Sequence, residues 1–318
     1  LKSSILAKSI GKILFIPIQS IELNFVLNKL NGQNAISFLV RANFVHSFTK
    51  YFSKRKVIIS ERNYSKKQYE KNTISNNIMN FLIKKLYKKA DYIIPISNGI
   101  KQSLISDYKL NDSLINTIYN PQDIQKIQNR SLKDIDFQFN KDYIHFITLG
   151  RLIPQKDHFT MIKAFKICNE KNKNTKLLIL GNGPLREDTL TLIKELNLEN
   201  NVFLLGFKEN AFDYLEKSDI FVFSSIFEGF GNVLTEAMAC GLPIISTSCP
   251  SGPSEILANG KYGILTPVSN IDKLSNAMIE ILERDSLDKY SKLSLQRCND
   301  FDVSIIANEY LKVFRNNN

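Results

Sequence analysis

No stretch of this 318-residue chain reaches the roughly 18 consecutive apolar residues that cross a bilayer. The best candidate, Ile13–Ile18, is short and contains Pro17, so it is not an anchor. Nor do the opening residues read as a signal peptide. Cysteine is sparse. Cys168, Cys240, Cys249 and Cys298 stand apart without paired spacing, which argues against a disulfide framework or a zinc site and fits reduced cytosolic thiols. With 9 prolines and 43% apolar residues, the composition is that of a folded chain, long enough for two domains.

Acidic residues are scarce in one part only. Residues 1–140 hold 22 Lys and Arg against 9 Asp and Glu, whereas residues 141–318 hold 20 against 22. The net charge of +11 therefore lies wholly in the first part. Such a field suits an anionic partner: a membrane surface, a diphosphate-linked acceptor or nucleic acid. Nucleic acid fits least, because no recognisable motif interleaves these charges with aromatics. The run Asn76–Ala90 has helical periodicity, with Ile78, Leu82 and Leu86 on one face and Lys84, Lys85, Lys88 and Lys89 nearby. It fits either a solvated surface or an interfacial helix resting on anionic lipid.

Along the first part, strands are expected at Ile36–Val40, Val57–Ser60, Tyr92–Ile96 and Ile115–Tyr119. Helices are expected over Ala42–Phe52 and from a Ser97 cap to about Tyr108. Residues 122–140 read as a polar linker. The second part alternates more clearly. Strands are expected at Tyr143–Leu149, Lys176–Leu180, Val202–Leu205, Ile220–Phe223 and Pro243–Thr247. Helices are expected over His158–Asn172, Leu185–Leu196, Ala211–Glu216, Asn232–Cys240, Ile271–Arg284 and Val303–Phe314. This alternation predicts an α/β fold with a parallel sheet covered on both faces.

One stretch concentrates the chemistry: FEGFGNVLTEAMACGLPIIST, from Phe227 to Thr247. With the apolar run Ile220–Phe223 before it, it reads as strand, glycine turn, helix, strand. Gly229 and Gly231 permit a sharp turn and close backbone approach to a ligand. The helix N-terminus after them is a seat for phosphate. Glu228 lies in the turn and Glu236 eight positions later in the helix, where a carboxylate suits vicinal hydroxyls. Earlier, Gly150-Arg151 follows a strand with Lys156 five residues on, offering a fork and a point charge to a diphosphate.

These stretches resemble the retaining nucleotide-sugar glycosyltransferases of group 1, or family 4. The resemblance is carried by the E-x7-E spacing of Glu228 and Glu236, by the G-R-L-x-x-x-K element from Gly150 to Lys156, and by ISERN, IPISNGI and YNPQDI in the first part. It implies two Rossmann-like domains facing a cleft (GT-B): a partial acceptor domain at 1–121, a linker at 122–140, a donor domain at 141–300, and a closing helix at 301–318 that returns to the first domain. About two strand–helix units, at roughly 30 residues each, are expected to be missing before Ile36, together with a glycine-rich loop. By position, the resemblance makes Glu228, Arg151 and Lys156 catalytic. It places Gly150, Gly181, Gly183, Phe207, Gly229, Phe230, Gly231, Asn232 and Glu236 around the donor.

The resemblance also implies an activity: transfer of a hexose or N-acetylhexosamine, from UDP, to a lipid-linked glycan in surface polysaccharide synthesis. Configuration is retained and no metal or other cofactor is needed. The chain would sit peripherally on the cytosolic face of an anionic membrane. Arg41 and Arg62, at strand ends, are candidates for an acceptor diphosphate, while His46 reads as an exposed side chain. The alternative is a non-catalytic or truncated nucleotide-sugar binder. A dehydrogenase is poorly supported, since Arg186 stands where a third glycine would follow Gly181 and Gly183. Asp134 and Asp136 form a D-x-D pair with no strand leading into it, which reads as coincidence rather than a metal site.

Overall fold

The computed structural model describes residues 13–30, 34–131 and 133–315. The chain divides into two compact units, Leu1–Tyr119 with Asn308–Asn318, and Asn120–Ala307.

The first unit is built on three parallel strands, β1 (Asn34–Phe38), β2 (Lys56–Glu61) and β3 (Tyr92–Pro95), in that order. The middle strand is buried from Val57 to Glu61, as a parallel strand covered on both faces must be. Around it lie α1 (Ile16–Lys29), α2 (Val40–Phe48) and α3 (Ile74–Leu86). Ser97 caps its helix as expected, accepting the Ile100 amide at 3.2 Å.

Three expectations need correction here. The first strand stops at Phe38 because Leu39 takes φ 74°, so the helix begins at Val40 and ends at Phe48, where a 3-10 turn, Thr49–Tyr51, follows. Ile115–Tyr119 is not a strand. Its Asn116 and Ile118 amides reach Ile93 O and Pro95 O, but only one bridge, Ile93 to Ile115, forms. α1 was not legible at all. Pro17 opens it, but Leu14, Phe15, Ile18, Ile21, Phe25 and Val26 are exposed in and just before it, so no single apolar face marks it.

The second unit has six parallel strands: β4 (Ile144–Leu149), β5 (Thr175–Leu180), β6 (Val202–Gly206), β7 (Ile220–Phe223), β8 (Ile244–Thr247) and β9 (Ile264–Thr266). Their order is β6-β5-β4-β7-β8-β9. The sheet and its helices enclose one core, with Phe146, Phe165, Leu177 and Val222 fully buried. The expected single helix Ile271–Arg284 is instead two, Ile271–Glu280 and Arg284–Cys298, the second being a helix that periodicity did not show. Residues expected as a polar linker carry a short helix, Ile124–Gln128, with Ile124 and Ile127 buried. Phe137 there packs edge-on to Phe203, with ring centroids 5.1 Å apart. These residues group with the second unit.

Candidate active site

In the second sheet the strand order reverses between β4 and β7. Connections leave these neighbours in opposite directions, which opens a crevice at their carboxyl ends. Gly150 and Arg151 emerge from β4, and the Phe227–Gly231 turn follows β7. Lys156, in the 3-10 turn Pro154–Lys156, crosses between them. Its ammonium lies 2.6 Å from Glu228 Oε1 and 4.9 Å from the centroid of Phe223. Three bonds hold that turn against the second loop: Gln155 Nε2 donates to Phe227 O at 2.8 Å, Ile226 N to Gln155 O at 2.8 Å, and Ser224 Oγ to Lys156 O at 2.7 Å. Glu228 is 8% exposed, so its charge is compensated chiefly by Lys156.

Beside this pair lies a cavity of about 610 Å³, walled by Gly150, Arg151, Lys156, Gly181, Phe207 and Val233 among others. Arg151 is exposed, and Phe207, 72% exposed, offers a flat apolar face at the rim. Gly181 has φ +138°, and a Cβ there would stand 2.0 Å from Gly150 O. Gly183 is equally tight against Leu152 O. Both glycines thus let the loops that follow β4 and β5 pack closely, Gly181 on the cavity wall itself. Neither glutamate lies on the cavity wall; Lys156 links Glu228 to it. Asp136, half of the D-x-D pair, accepts from Lys208 and from the Tyr214 hydroxyl. Among the described residues no cluster of three or more His, Cys, Asp or Glu could hold a metal.

The helix α4 (Asn232–Ala239) starts from Gly231 at φ +101°, directly after the turn that follows β7, with no side-chain cap on its first amides. Asn232 Oδ1 accepts from Asn120 Nδ2 at 2.7 Å. Glu236, one turn on, is half-buried. Desolvation raises its pKa above the usual carboxylate value, against the pull of a hydrogen bond from Gln122. Phe230 turns its ring away from the site into the core, 5.6 Å from Phe301. Gly229 O accepts from Ser251 Oγ at 2.7 Å, so the next turn backs this one. Gly252 in that turn has φ +94°, with a virtual Cβ 1.8 Å from Phe230 O. Gly252→Ala should therefore cost about 3 kcal/mol or more of stability, combining overpacking and backbone strain, as measured by urea unfolding.

In the first unit, Arg41 Nη2 donates to Gln19 Oε1 at 3.0 Å and lines a cavity of about 770 Å³ with Ser37 and His46. The Arg62 guanidinium lies 5.3 Å from the Phe38 ring centroid. The expectation for His46 fails. It is 2% exposed, with Nδ1 3.3 Å from Ser37 Oγ, and burial drives its pKa down to about 4. Glu61 is wholly buried, and desolvation pushes its pKa up to about 7. Its native form holds a proton that the unfolded chain releases near the ordinary 4.5, so this group's contribution is full below pH 4.5 and is lost as pH rises towards 7. Glu61→Gln should flatten the fall in unfolding free energy across that window, which amounts to about 3 kcal/mol by linkage.

Sequence reasoning missed the residues that hold Asn232 and Glu236 from elsewhere in the chain. Asn120 holds Asn232, while Gln122 donates to Thr235 Oγ1 at 3.0 Å and bonds Glu236. Each pair is more than a hundred residues apart in the chain, so no local spacing could have signalled it. Asn182 and Lys208 also line the cavity.

The fold is that of an α/β protein with one parallel sheet in each of two units, and comparison with known proteins makes the class specific. The family described as "Glycosyl transferases group 1" matches residues 129–295. A Campylobacter jejuni protein, N-acetylgalactosamine-N,N'-diacetylbacillosaminyl-diphospho-undecaprenol 4-alpha-N-acetylgalactosaminyltransferase, is 34% identical over 303 residues, covering 95% of this chain and 81% of the relative. The chain belongs to the group 1 glycosyltransferases. It is also 28% identical over 207 residues to an Escherichia coli UDP-Gal:alpha-D-GlcNAc-diphosphoundecaprenol alpha-1,3-galactosyltransferase, covering 63% of this chain and 53% of that one. The structure resembles that of Anabaena HepE in complex with UDP, with a TM-score of 0.79, 18% identity, and coverage of 93% of this chain and 81% of the other. That likeness supports the GT-B fold.

Proposed function

We propose that this chain is a retaining hexosyltransferase that moves a hexose or N-acetylhexosamine from a UDP-sugar to a lipid-diphosphate-linked glycan. The observation that carries this reading is the Lys156–Glu228 pair at the point of strand-order reversal, beside a cavity of nucleotide size. The acceptor class is supported by the undecaprenol-diphosphate in the names of the Campylobacter and E. coli relatives. UDP is supported by the E. coli name and by the HepE complex.

In the reaction, the bond from the sugar anomeric carbon to the β-phosphate oxygen breaks, and the acceptor hydroxyl forms its bond on the same face. The hydroxyl proton passes to the departing phosphate oxygen. Arg151 and Lys156 stabilise the charge that develops there, aided by the first amides of α4. Glu228 Oε1 takes the ammonium, leaving Oε2 for a sugar hydroxyl. Glu236 accepts from the ribose hydroxyls, and the exposed Phe207 ring meets the base. With two cations aimed at the diphosphate the reaction needs no metal, so turnover should survive EDTA.

Peripheral contact with an anionic inner leaflet would use the exposed face of α3 and the turn after it. There Ile74 and Phe81 are exposed with Lys84, Lys85, Lys88 and Lys89, and Lys89 lies 5.3 Å from the ring centroid of the half-exposed Tyr51. Each such lysine is worth about 1 kcal/mol near an anionic surface. Lys88→Glu with Lys89→Glu should therefore release the chain from phosphatidylglycerol vesicles in flotation. The proposed function is tested by incubating the chain with UDP-sugars and a polyprenyl-diphosphate-linked N-acetylhexosamine and reading the product by NMR. Transfer with inverted configuration refutes the retaining account. UDP binding without transfer or hydrolysis favours the non-catalytic binder.

A further inference from the structure

Glu61 ends the central strand of the first unit, is fully buried, and has no part in the proposed reaction. Its carboxyl faces four donors. Oε2 accepts the Tyr87 hydroxyl at 2.5 Å, and Oε1 accepts the Asn63 amide at 3.1 Å and the Ser65 hydroxyl at 3.3 Å. The Arg62 amide also donates to it. The network runs on into the unit. Asn43 Nδ2 donates to Tyr87 Oη at 3.1 Å and to Ser60 O at 2.8 Å, and Ser37 Oγ donates to Asn43 Oδ1 at 2.8 Å. Tyr69 and Tyr108 are the other titratable groups that feel this carboxyl.

Stability does not account for an ionisable group in this position, because desolvating a carboxyl offsets what its hydrogen bonds return. Geometry does. Two successive backbone amides and a hydroxyl converge on one carboxyl, which folds the chain back immediately after β2. That turn follows the carboxyl end of β2, and loops carried on a rigid sheet are where binding side chains concentrate. Arg62 is its first residue, and the guanidinium lies over Phe38 at the end of the neighbouring strand.

We infer that Glu61 is a positioning residue for acceptor binding: by holding the Arg62–Ser65 turn, it sets the Arg62 guanidinium against the diphosphate of the acceptor. This rests on the proposed lipid-diphosphate acceptor. Arg62 makes the contact; Glu61 acts through it.

The test uses the full chain, a UDP-N-acetylhexosamine donor, and a short-chain polyprenyl-diphosphate-linked N-acetylhexosamine as the acceptor probe. Glu61→Gln leaves the Tyr87 hydroxyl facing an amide, Tyr87→Phe removes one donor from an intact carboxyl, and Arg62→Ala removes the guanidinium. Glu61→Gln should raise the acceptor KM by about tenfold or more, as misplacement of a binding group does, with the donor KM held within about twofold. Tyr87→Phe should move the acceptor KM the same way by less, and carries the test if Glu61→Gln does not fold. Arg62→Ala should match or exceed Glu61→Gln. A merely structural role would disturb donor and acceptor KM together. If Arg62→Ala raises the acceptor KM while the Glu61 and Tyr87 variants do not, the positioning role is overturned and the acceptor site stands. If Arg62→Ala changes nothing, the inference fails. If the wild-type chain transfers nothing to the probe, the functional reading falls. Amide exchange at Arg62 and Asn63 then decides the turn: faster exchange in Glu61→Gln upholds it, and unchanged protection overturns it.

Discussion

Lys156→Ala should lower kcat by about 10²–10³-fold, the usual effect of deleting one preorganised group that stabilises developing charge. The ammonium lies 2.6 Å from Glu228 in a turn tied by three hydrogen bonds to the opposite loop, so it is already placed before a donor arrives. Negative charge on the diphosphate grows as the sugar departs, and an interaction that strengthens along that path is read in kcat more than in donor KM. Removing Lys156 also leaves Glu228 buried without its partner, at a cost of about 1–3 kcal/mol in stability. Urea unfolding of Lys156→Ala separates the two effects, because the buried charge is read in stability and the leaving-group role in kcat. Steady-state rates with saturating donor make the comparison. A Lys156→Ala enzyme that turns over at the wild-type rate would end the leaving-group role.

Glu236→Ala should weaken UDP binding by about 10–100-fold, as expected for losing hydrogen bonds to a charged acceptor. Burial raises the pKa of this carboxyl, and Gln122 bonds it, so it meets a ligand partly desolvated and already aimed. Calorimetry with UDP and with 2′-deoxy-UDP closes a double-mutant cycle on the ribose contact. The wild-type chain should lose affinity for the deoxy nucleotide, whereas Glu236→Ala should scarcely distinguish the two. Because the folded-state pKa is raised, UDP affinity should fall on acidification sooner than an ordinary carboxylate would allow, and the variant should lack that limb. Equal UDP affinity in variant and wild type would remove Glu236 from the site.

The strand–turn–helix units of the second sheet were legible because their signals are local. Glu228, Gly231 and Glu236 fall within one strand–turn–helix unit, and Gly150, Arg151 and Lys156 within another, so spacing along the chain and position in space nearly coincide. The first unit was harder to read. α1 exposes apolar residues such as Ile18, Ile21 and Phe25 and so carries no clear period. Ile115–Tyr119 has the composition of a strand without completing a ladder. His46 and Glu61, polar residues that composition assigns to the surface, are buried because Ser37, Asn43 and Tyr87 meet them there.

By itself, then, the sequence determined the alternating parallel fold, the two cationic and carboxylate clusters, and the uneven charge, since each is a property of neighbouring residues and of periods shorter than one element. Only the tertiary structure decided that Lys156 meets Glu228 across 72 positions, that Asn120 and Gln122 hold α4, and that Glu61 lies in a core. Those pairings depend on which strands lie side by side. Strand order is set by the packing of the whole sheet, and no local spacing encodes it.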